Sequence, residues 1–392
     1  MYHSVGPERP GWQWNYLMTP AGVFEEQMRI LHDRGWNTIS LKQLYMHMKE
    51  GTPVPDHPVV LTFDDGYLDN WVYAFPILKK YGHRAVIWMS SDFIDPRSDM
   101  RSNLDDVWNG NARHEELDIN GFLSRGEMKS MIESGHVEIQ SHGKTHTWYY
   151  AGPEIVDFHR PDGIAGYQAP PWLGWNLFPD SKHEYLARRL TDLVPLGTPI
   201  YRSGKSLAVR RYFEDTALTE ALTGHVAKEG GEAFFSKVGW REELAALVRD
   251  HGPLDDRLET EAEYESRVRY ELEESRRILE SSLGVEVEFL CWPGGGRTPR
   301  TLEIAREVGF LATTTHYEDK TRKNIFGQDP AEINRIGSGS PWNRQGKVFY
   351  RTDPGFFMAG IASFAGDKKS VWIKRFYKLK YLLGYYMCGT VK

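Results

Sequence analysis

The segment Val59-Val60-Leu61-Thr62-Phe63 constrains the fold more than any other part of the chain. It is a nearly unbroken apolar run, closed in front by Pro58 and behind by Asp64-Asp65-Gly66. Such a short run, lacking the alternation of a strand wetted on one face, suits a strand buried on both faces. Helical spacing of Phe24, Met28 and Leu31 precedes it, followed by Gly35, a strand at 37–40 and a helix at 41–48. Beyond it come a helix at 70–81, Gly82 and a strand at 84–89. Alternation of this kind predicts an α/β chain with a parallel sheet or a barrel.

The rhythm resumes with a helix at 125–134, Gly135 and a strand at 136–140. It returns late with a helix at 262–282, a strand at 285–292, a helix at 299–308 and a strand at 310–315. Residues 147–261 interrupt it. They are irregular and rich in Pro, Trp and Gly at first, then helical from 215 to 249, and read as an insertion or a small domain. Residues 338–367 are rich in glycine and aromatics with little periodicity. The 392 residues carry a net charge of -6, which leaves no global basic field for a nucleic-acid backbone. Nucleic acid is therefore not an expected partner.

The N-terminus has neither a basic stretch nor an apolar core of the secretory kind, so the chain as given is expected in the cytoplasm. No run of eighteen apolar residues predicts a spanning helix. The tail at 368–387 interleaves Lys369, Lys374, Arg375, Lys378 and Lys380 with Trp372, Ile373, Phe376, Leu379, Leu382 and Leu383. This composition suits a helix lying peripherally on an anionic membrane. It also suits a terminal helix packed on the protein with its lysines outward.

Two adjacent carboxylates, Asp64 and Asp65, stand where the buried strand ends. Neighbours on an extended segment point to opposite sides, so the pair can serve two tasks. An N-cap aspartate beside a turn aspartate would read the same. His142-Gly143-Lys144-Thr145-His146 follows another strand end, and its two imidazoles are four residues apart. On a helical turn that spacing brings both rings to one face. Neither Cys291 nor Cys388 lies in a metal-type pair, so a metal would need histidine and carboxylate. One carboxylate with two histidines makes a facial triad that leaves positions open for water and substrate. Both motifs fall at C-terminal strand ends, where α/β barrels build active sites.

Thr62-Phe63-Asp64-Asp65-Gly66, His142-Gly143-Lys144-Thr145-His146 and Trp292-Pro293-Gly294-Gly295 resemble, in order, the first three motifs of the polysaccharide deacetylases with a NodB homology domain (carbohydrate esterase family 4). The resemblance covers about 1–147 and 265–337. It implies an irregular (β/α) barrel of the NodB type, divided as barrel at 1–147, inserted subdomain at 148–262, barrel again at 263–337 and a C-terminal extension at 338–392. It implies a hydrolase that removes acetyl groups from N-acetylated sugars of a polysaccharide or glycolipid, with a divalent metal: zinc, or alternatively cobalt or nickel. Matched residue by residue, Asp64 takes the place of the general base and Asp65, His142 and His146 those of the metal ligands. Pro293 and Gly294 take the place of the turn that shapes the acetate pocket.

One departure stands out. The family's late Leu-x-His motif, often the general acid, here reads Ile333-Asn334-Arg335, and arginine is a poor acid at neutral pH. His316, after the strand at 310–315, is the substitute expected. His3 is expected to be structural. Arg335, together with Trp148 and Trp292 beside the motifs, is expected to bind the sugar. The Gly204-Lys205-Ser206 triplet lacks the spacing of a phosphate loop, because Pro199 stands where the first glycine belongs. Two rival readings remain: a degenerate barrel that binds a glycan or lipid-linked sugar without turnover, and a metal amidohydrolase acting on a non-sugar amide.

Overall fold

The computed structural model describes residues 1–315, 323–344 and 347–388. At its centre six parallel strands stand side by side in chain order: β1 (Leu61–Phe63), β2 (Ala85–Met89), β3 (Val137–Ser141), β4 (Phe289–Leu290), β5 (Ala312–Thr314) and β6 (Glu332–Ile333). Helices α1 (Ala21–Asp33), α2 (Leu41–Glu50), α3 (Phe75–Lys80), α4 (Arg125–Glu133), α5 (Glu261–Leu283) and α6 (Pro299–Val308) accompany them. The first residues join the two edges of the sheet. Tyr2 N–H donates to Thr62 O at 2.8 Å and Tyr2 O accepts from Asp64 N–H at 3.0 Å, while Met1 N donates to Ile336 O at 2.9 Å. The curled sheet thereby closes as an irregular (β/α) barrel.

Both faces of the sheet are buried, as the apolar run at 59–63 requires. Phe63, Ile87, Ile139 and Leu290 face outward into a layer with Phe24, Met28 and Leu31 of α1 and Leu272 and Leu279 of α5. Val86, Trp88, Phe289, Cys291, Ala312 and Ile333 face inward with Leu41 of α2. Each large side chain buried in this way stabilises by roughly 1.5–3 kcal/mol. For strands of two to five residues, these two layers outweigh any strand propensity. The helices are closed by local chemistry. Ser40 and Gln43 form a capping box on α2, as do Ser124 and Glu127 on α4 and Thr260 and Glu263 on α5.

Four stretches differ from the pattern read in the sequence. The expected strand at 59–63 is divided: Pro58–Val59 pairs with Asn37–Thr38 outside the main sheet, and only Leu61–Phe63 enters it. The outer pairing uses the carbonyls of His57 and Val59, so the missing N–H of Pro58 costs nothing. The strand expected over 285–292 shrinks to β4. There the Gln140 side chain accepts from the N–H groups of Glu288 and Phe289 at 3.0 Å and donates to Glu286 O at 3.3 Å, replacing a backbone neighbour. The stretch after 147, expected to be irregular, holds a strand at Trp148–Phe158 paired antiparallel with Pro199–Lys205. Its register shifts at Tyr150/Ile155 and Ile155/Asp157, which erases a simple alternation. Finally, 338–367 contains a hairpin of Pro341–Arg344 with Lys347–Tyr350 and then helix α7 (Pro354–Phe364), packed against α8 (Lys368–Cys388).

The inserted stretch has its own cluster around Leu218, Leu222, Val226, Phe234 and Phe235. Its Trp175, Leu190 and Leu207 pack into the main core. Among the described residues no helix is long and apolar enough to cross a membrane.

Two tests follow from this packing. Arg9, 3% exposed, is tied to buried Asp69 at 2.6 Å, and both bond Ser4. Asp69→Ala leaves the guanidinium buried without its counter-charge, so urea denaturation is expected to show a loss of about 3–5 kcal/mol. Glu138 of β3 behaves differently. Burial pushes its carboxyl up from 4.5 to about 7, against the pull of the Leu41 N–H and Arg84. The fold therefore prefers the protonated form, and stability is full below the unfolded value and declines as pH rises from 4.5 to about 7. Glu138→Gln is expected to be neutral in acid and stabilising by about 3 kcal/mol at pH 8. A flat difference across that range would contradict it.

Candidate active site

Four strands deliver polar side chains to the same end of the barrel. Asp64 follows β1, His142 follows β3, Cys291 follows β4 and Arg335 lies two residues beyond β6, all at C-terminal ends. Alternation along the strands decides which side chains meet. Phe63 and Leu290 belong to the outer layer, so Asp64 and Cys291 turn inward, where Cys291 Sγ lies 3.7 Å from Asp64 Oδ2. Trp292, one residue later, turns back into the outer core and is 1% exposed. It is a core residue and presents no face to a sugar, contrary to the sequence expectation.

Asp65 leaves the strand direction through a left-handed backbone, φ +76°, followed by Gly66 at +77°. A Cβ on Gly66 would lie 2.1 Å from Met89 Sδ, so glycine is required there. Asp65 Oδ1 then sits 3.2 Å from His142 Nε2 and 3.0 Å from His146 Nε2. The two rings lie 4.9 Å apart. They meet through a loop, with Gly143 at φ +73° and His146 at +40°, and not on the helical turn that their spacing suggested.

The loop is held from beneath. Lys182, 2% exposed, donates to Thr145 O at 2.9 Å and pairs with Asp92 at 3.0 Å, while Thr145 Oγ1 donates to buried Glu271 at 2.7 Å. Lys182 comes from the inserted stretch, and no motif in the sequence marked it.

This cluster fits a divalent cation by its own chemistry. His142 Nδ1 lies 2.8 Å from the Cys291 carbonyl, which can only accept, so Nδ1–H donates there and Nε2 is the ring nitrogen turned to Asp65. Burial works to raise the Asp65 carboxyl, but His146 and His142 outweigh it and hold it well below its usual range. A carboxylate oxygen and two imidazole nitrogens thus converge as one ligand set.

Asp64 has separate partners. Arg335 grips it with Nη1–Oδ1 at 2.7 Å and Nη2–Oδ2 at 3.1 Å, and Arg335 Nη2 also donates to Cys291 Sγ at 3.0 Å. Burial favours the neutral acid, yet Arg335, then His3 and His142, bring the Asp64 carboxyl down to about 2. It is anionic at any ordinary pH. Arg335 was expected to touch the sugar. It is instead committed to Asp64, because a guanidinium this far from water must be paired. His3 Nε2 stands 3.9 Å from Asp64 Oδ2 with its side chain 21% exposed, and its backbone carbonyl accepts from Asn70 Nδ2 at 2.8 Å. His316 lies outside the described residues.

Trp14, Tyr67, Phe93, Phe122, Trp175 and Tyr185 wall the slot beside Asp65 and His146. Trp148 is not part of that wall and stacks on Trp172 at 5.0 Å and 14°. Pro293 packs on Gly143, where a Cβ would meet its Cγ at 3.3 Å. Gly294 takes φ +53° and accepts through its carbonyl from Lys205 Nζ. The inserted hairpin therefore clasps the turn at 293–296. A cavity of about 490 Å³ lies elsewhere, at the apolar seam between β1 and β6 beside Val60, Ile333, Phe357 and Arg335.

Residues 51–159 match the family model described as Polysaccharide deacetylase. YxkH of Bacillus subtilis (strain 168), named for that family, is 32% identical over 146 residues, which are 37% of this chain and 42% of that protein. The poly-beta-1,6-N-acetyl-D-glucosamine N-deacetylase of Escherichia coli (strain K12) is 29% identical over 147 residues, 38% of this chain and 20% of that one. The chain spans less than half the length of either. A solved de-N-acetylase from Aggregatibacter actinomycetemcomitans shares the fold with a TM-score of 0.50 at 18% identity, covering 86% of this chain and 92% of that one. The matched segment holds Asp64, Asp65, His142 and His146, so the similarity to the polysaccharide deacetylases covers the residues of the candidate site.

Proposed function

We propose that this chain hydrolyses the N-acetyl groups of an N-acetylated polysaccharide or glycolipid. The division of labour within Asp64-Asp65 carries the reading. One carboxylate joins two histidines in a ligand set, and its neighbour is held apart as an anion by Arg335. The name of the Escherichia coli relative supports an N-acetylglucosamine polymer as the substrate class. A divalent ion held by Asp65, His142 and His146, with zinc the first choice and cobalt or nickel next, would activate water and polarise the acetyl carbonyl.

The remaining steps belong to the chain's own residues. Asp64 accepts the proton of the attacking water as the new C–O bond forms. The C–N bond then breaks, and the sugar nitrogen needs a proton as it leaves. His3, 3.9 Å from Asp64 Oδ2 and partly exposed, supplies it in place of the family's late histidine. Arg335 keeps its protons and serves to hold Asp64 charged and oriented. The aromatic wall at Trp14, Trp175 and Tyr185 offers apolar surface to the acetyl methyl and the sugar face. The products are acetate and a free amine.

Acetate release from N-acetylglucosamine oligomers, paired with elemental analysis, tests both halves. Asp64→Asn is expected to lower kcat by about 100-fold or more with bound metal retained. Asp65→Asn and His146→Ala are expected to lose the metal, and full occupancy in either would overturn the ligand assignment. His3→Gln is expected to lower kcat by about 100-fold with metal and KM unchanged; an unaltered kcat removes His3 from the mechanism. Stoichiometric metal with no acetate from any N-acetylated glycan would favour binding without turnover. Turnover confined to simple amides would favour the non-sugar amidohydrolase.

A further inference from the structure

The helix α8 has two distinct faces. Ser370, Lys374, Tyr377 and Tyr381 recur at helical spacing on the face turned to α7. There Tyr377 and Tyr381 meet Phe356 at ring distances of 6.3 and 6.2 Å, and the Tyr381 hydroxyl accepts from Asp353 N–H at 3.0 Å. The helix is thus fixed to the protein by one side.

The opposite side is apolar and more than half exposed among the described residues. Trp372 is 69% exposed, Phe376 66%, Leu379 52% and Leu383 54%. Their spacing of four, three and four residues puts them in one stripe about 60° wide, at about 100° per residue. Basic residues flank the stripe: Lys369 and Lys380 on one side, Arg375 and Lys378 on the other. From 368 to 388 the chain has six basic residues and no acidic one, although its net charge is -6. An exposed apolar stripe of this size is unusual on a lone soluble surface. Bases along both margins are repelled by a like surface and attracted by an anionic one, so charge argues against a second copy of this helix as the cover.

We infer that α8 docks the protein on an anionic membrane surface, with Trp372, Phe376, Leu379 and Leu383 entering the headgroup boundary and the flanking lysines meeting lipid phosphates. Since α8 is not long and apolar enough to span, the contact is peripheral. It requires nothing of the catalytic reading and is tested independently of turnover.

Sedimentation of the full chain with vesicles of phosphatidylcholine alone, and of phosphatidylcholine mixed with phosphatidylglycerol, measures it. Binding to the mixed vesicles, weakened by added salt, is expected. Trp372→Ser/Phe376→Ser/Leu379→Ser is expected to abolish it. Lys368→Glu/Lys369→Glu/Lys378→Glu is expected to weaken it by about 100-fold, with circular dichroism showing both variants folded. Equal sedimentation of variants and parent, or equal binding to both vesicle types, would overturn the proposal. So would a dimer in analytical ultracentrifugation that the serine variant dissolves.

Discussion

A carboxylate and a guanidinium, both nearly removed from water, tie the first strand of the barrel to the chain leaving the last. The Asp64–Arg335 pair spans the same seam that Met1 and Tyr2 bridge through backbone hydrogen bonds. Closure of the barrel and the charge state of the candidate base therefore rest on the same residues. Such a buried pair contributes little net stability, because desolvating two charges offsets most of their attraction. What it secures is an anion at a fixed place. Cys291 completes the junction, with its thiol beside Asp64 and Arg335 and its carbonyl fixing the tautomer of His142.

The inserted stretch is part of this machinery. Lys182 reaches under the His142–His146 loop, Trp175 and Tyr185 stand beside Asp65, and Lys205 lies across the turn at Gly294. The positive φ values at Asp65 and His146 are strained for side-chain-bearing residues and persist only where surroundings dictate them. The Lys182, Asp92, Thr145 and Glu271 network does so for the histidine loop. A cut at the edges of the insertion would remove supports that the site needs.

The C-terminal hairpin of helices applies the same physics in the opposite sense. The aromatic residues of α8 on its inner side are covered by contact with α7, whereas Trp372 and Phe376 on its outer side are about two-thirds exposed. This single helix packs on one face and leaves a basic-edged apolar stripe on the other.

The sequence by itself pointed to a parallel sheet or a barrel, because the apolar run ending at Phe63 and followed by two carboxylates suits a strand buried on both faces. It also determined the positions of Asp64, Asp65, His142 and His146, since strand ends and residue chemistry are local properties. Tertiary structure decided their partners. Arg335 reads in sequence as a failed acid and becomes the counter-charge of Asp64 only when β6 folds back toward β1. His3 comes within reach of Asp64 only because the first residues close the seam. Trp292 loses its expected role by a single step in strand parity, and Lys182 gains one from more than thirty residues away in the chain. These depend on which segments meet in space, and contacts between distant segments leave no periodic trace in the sequence.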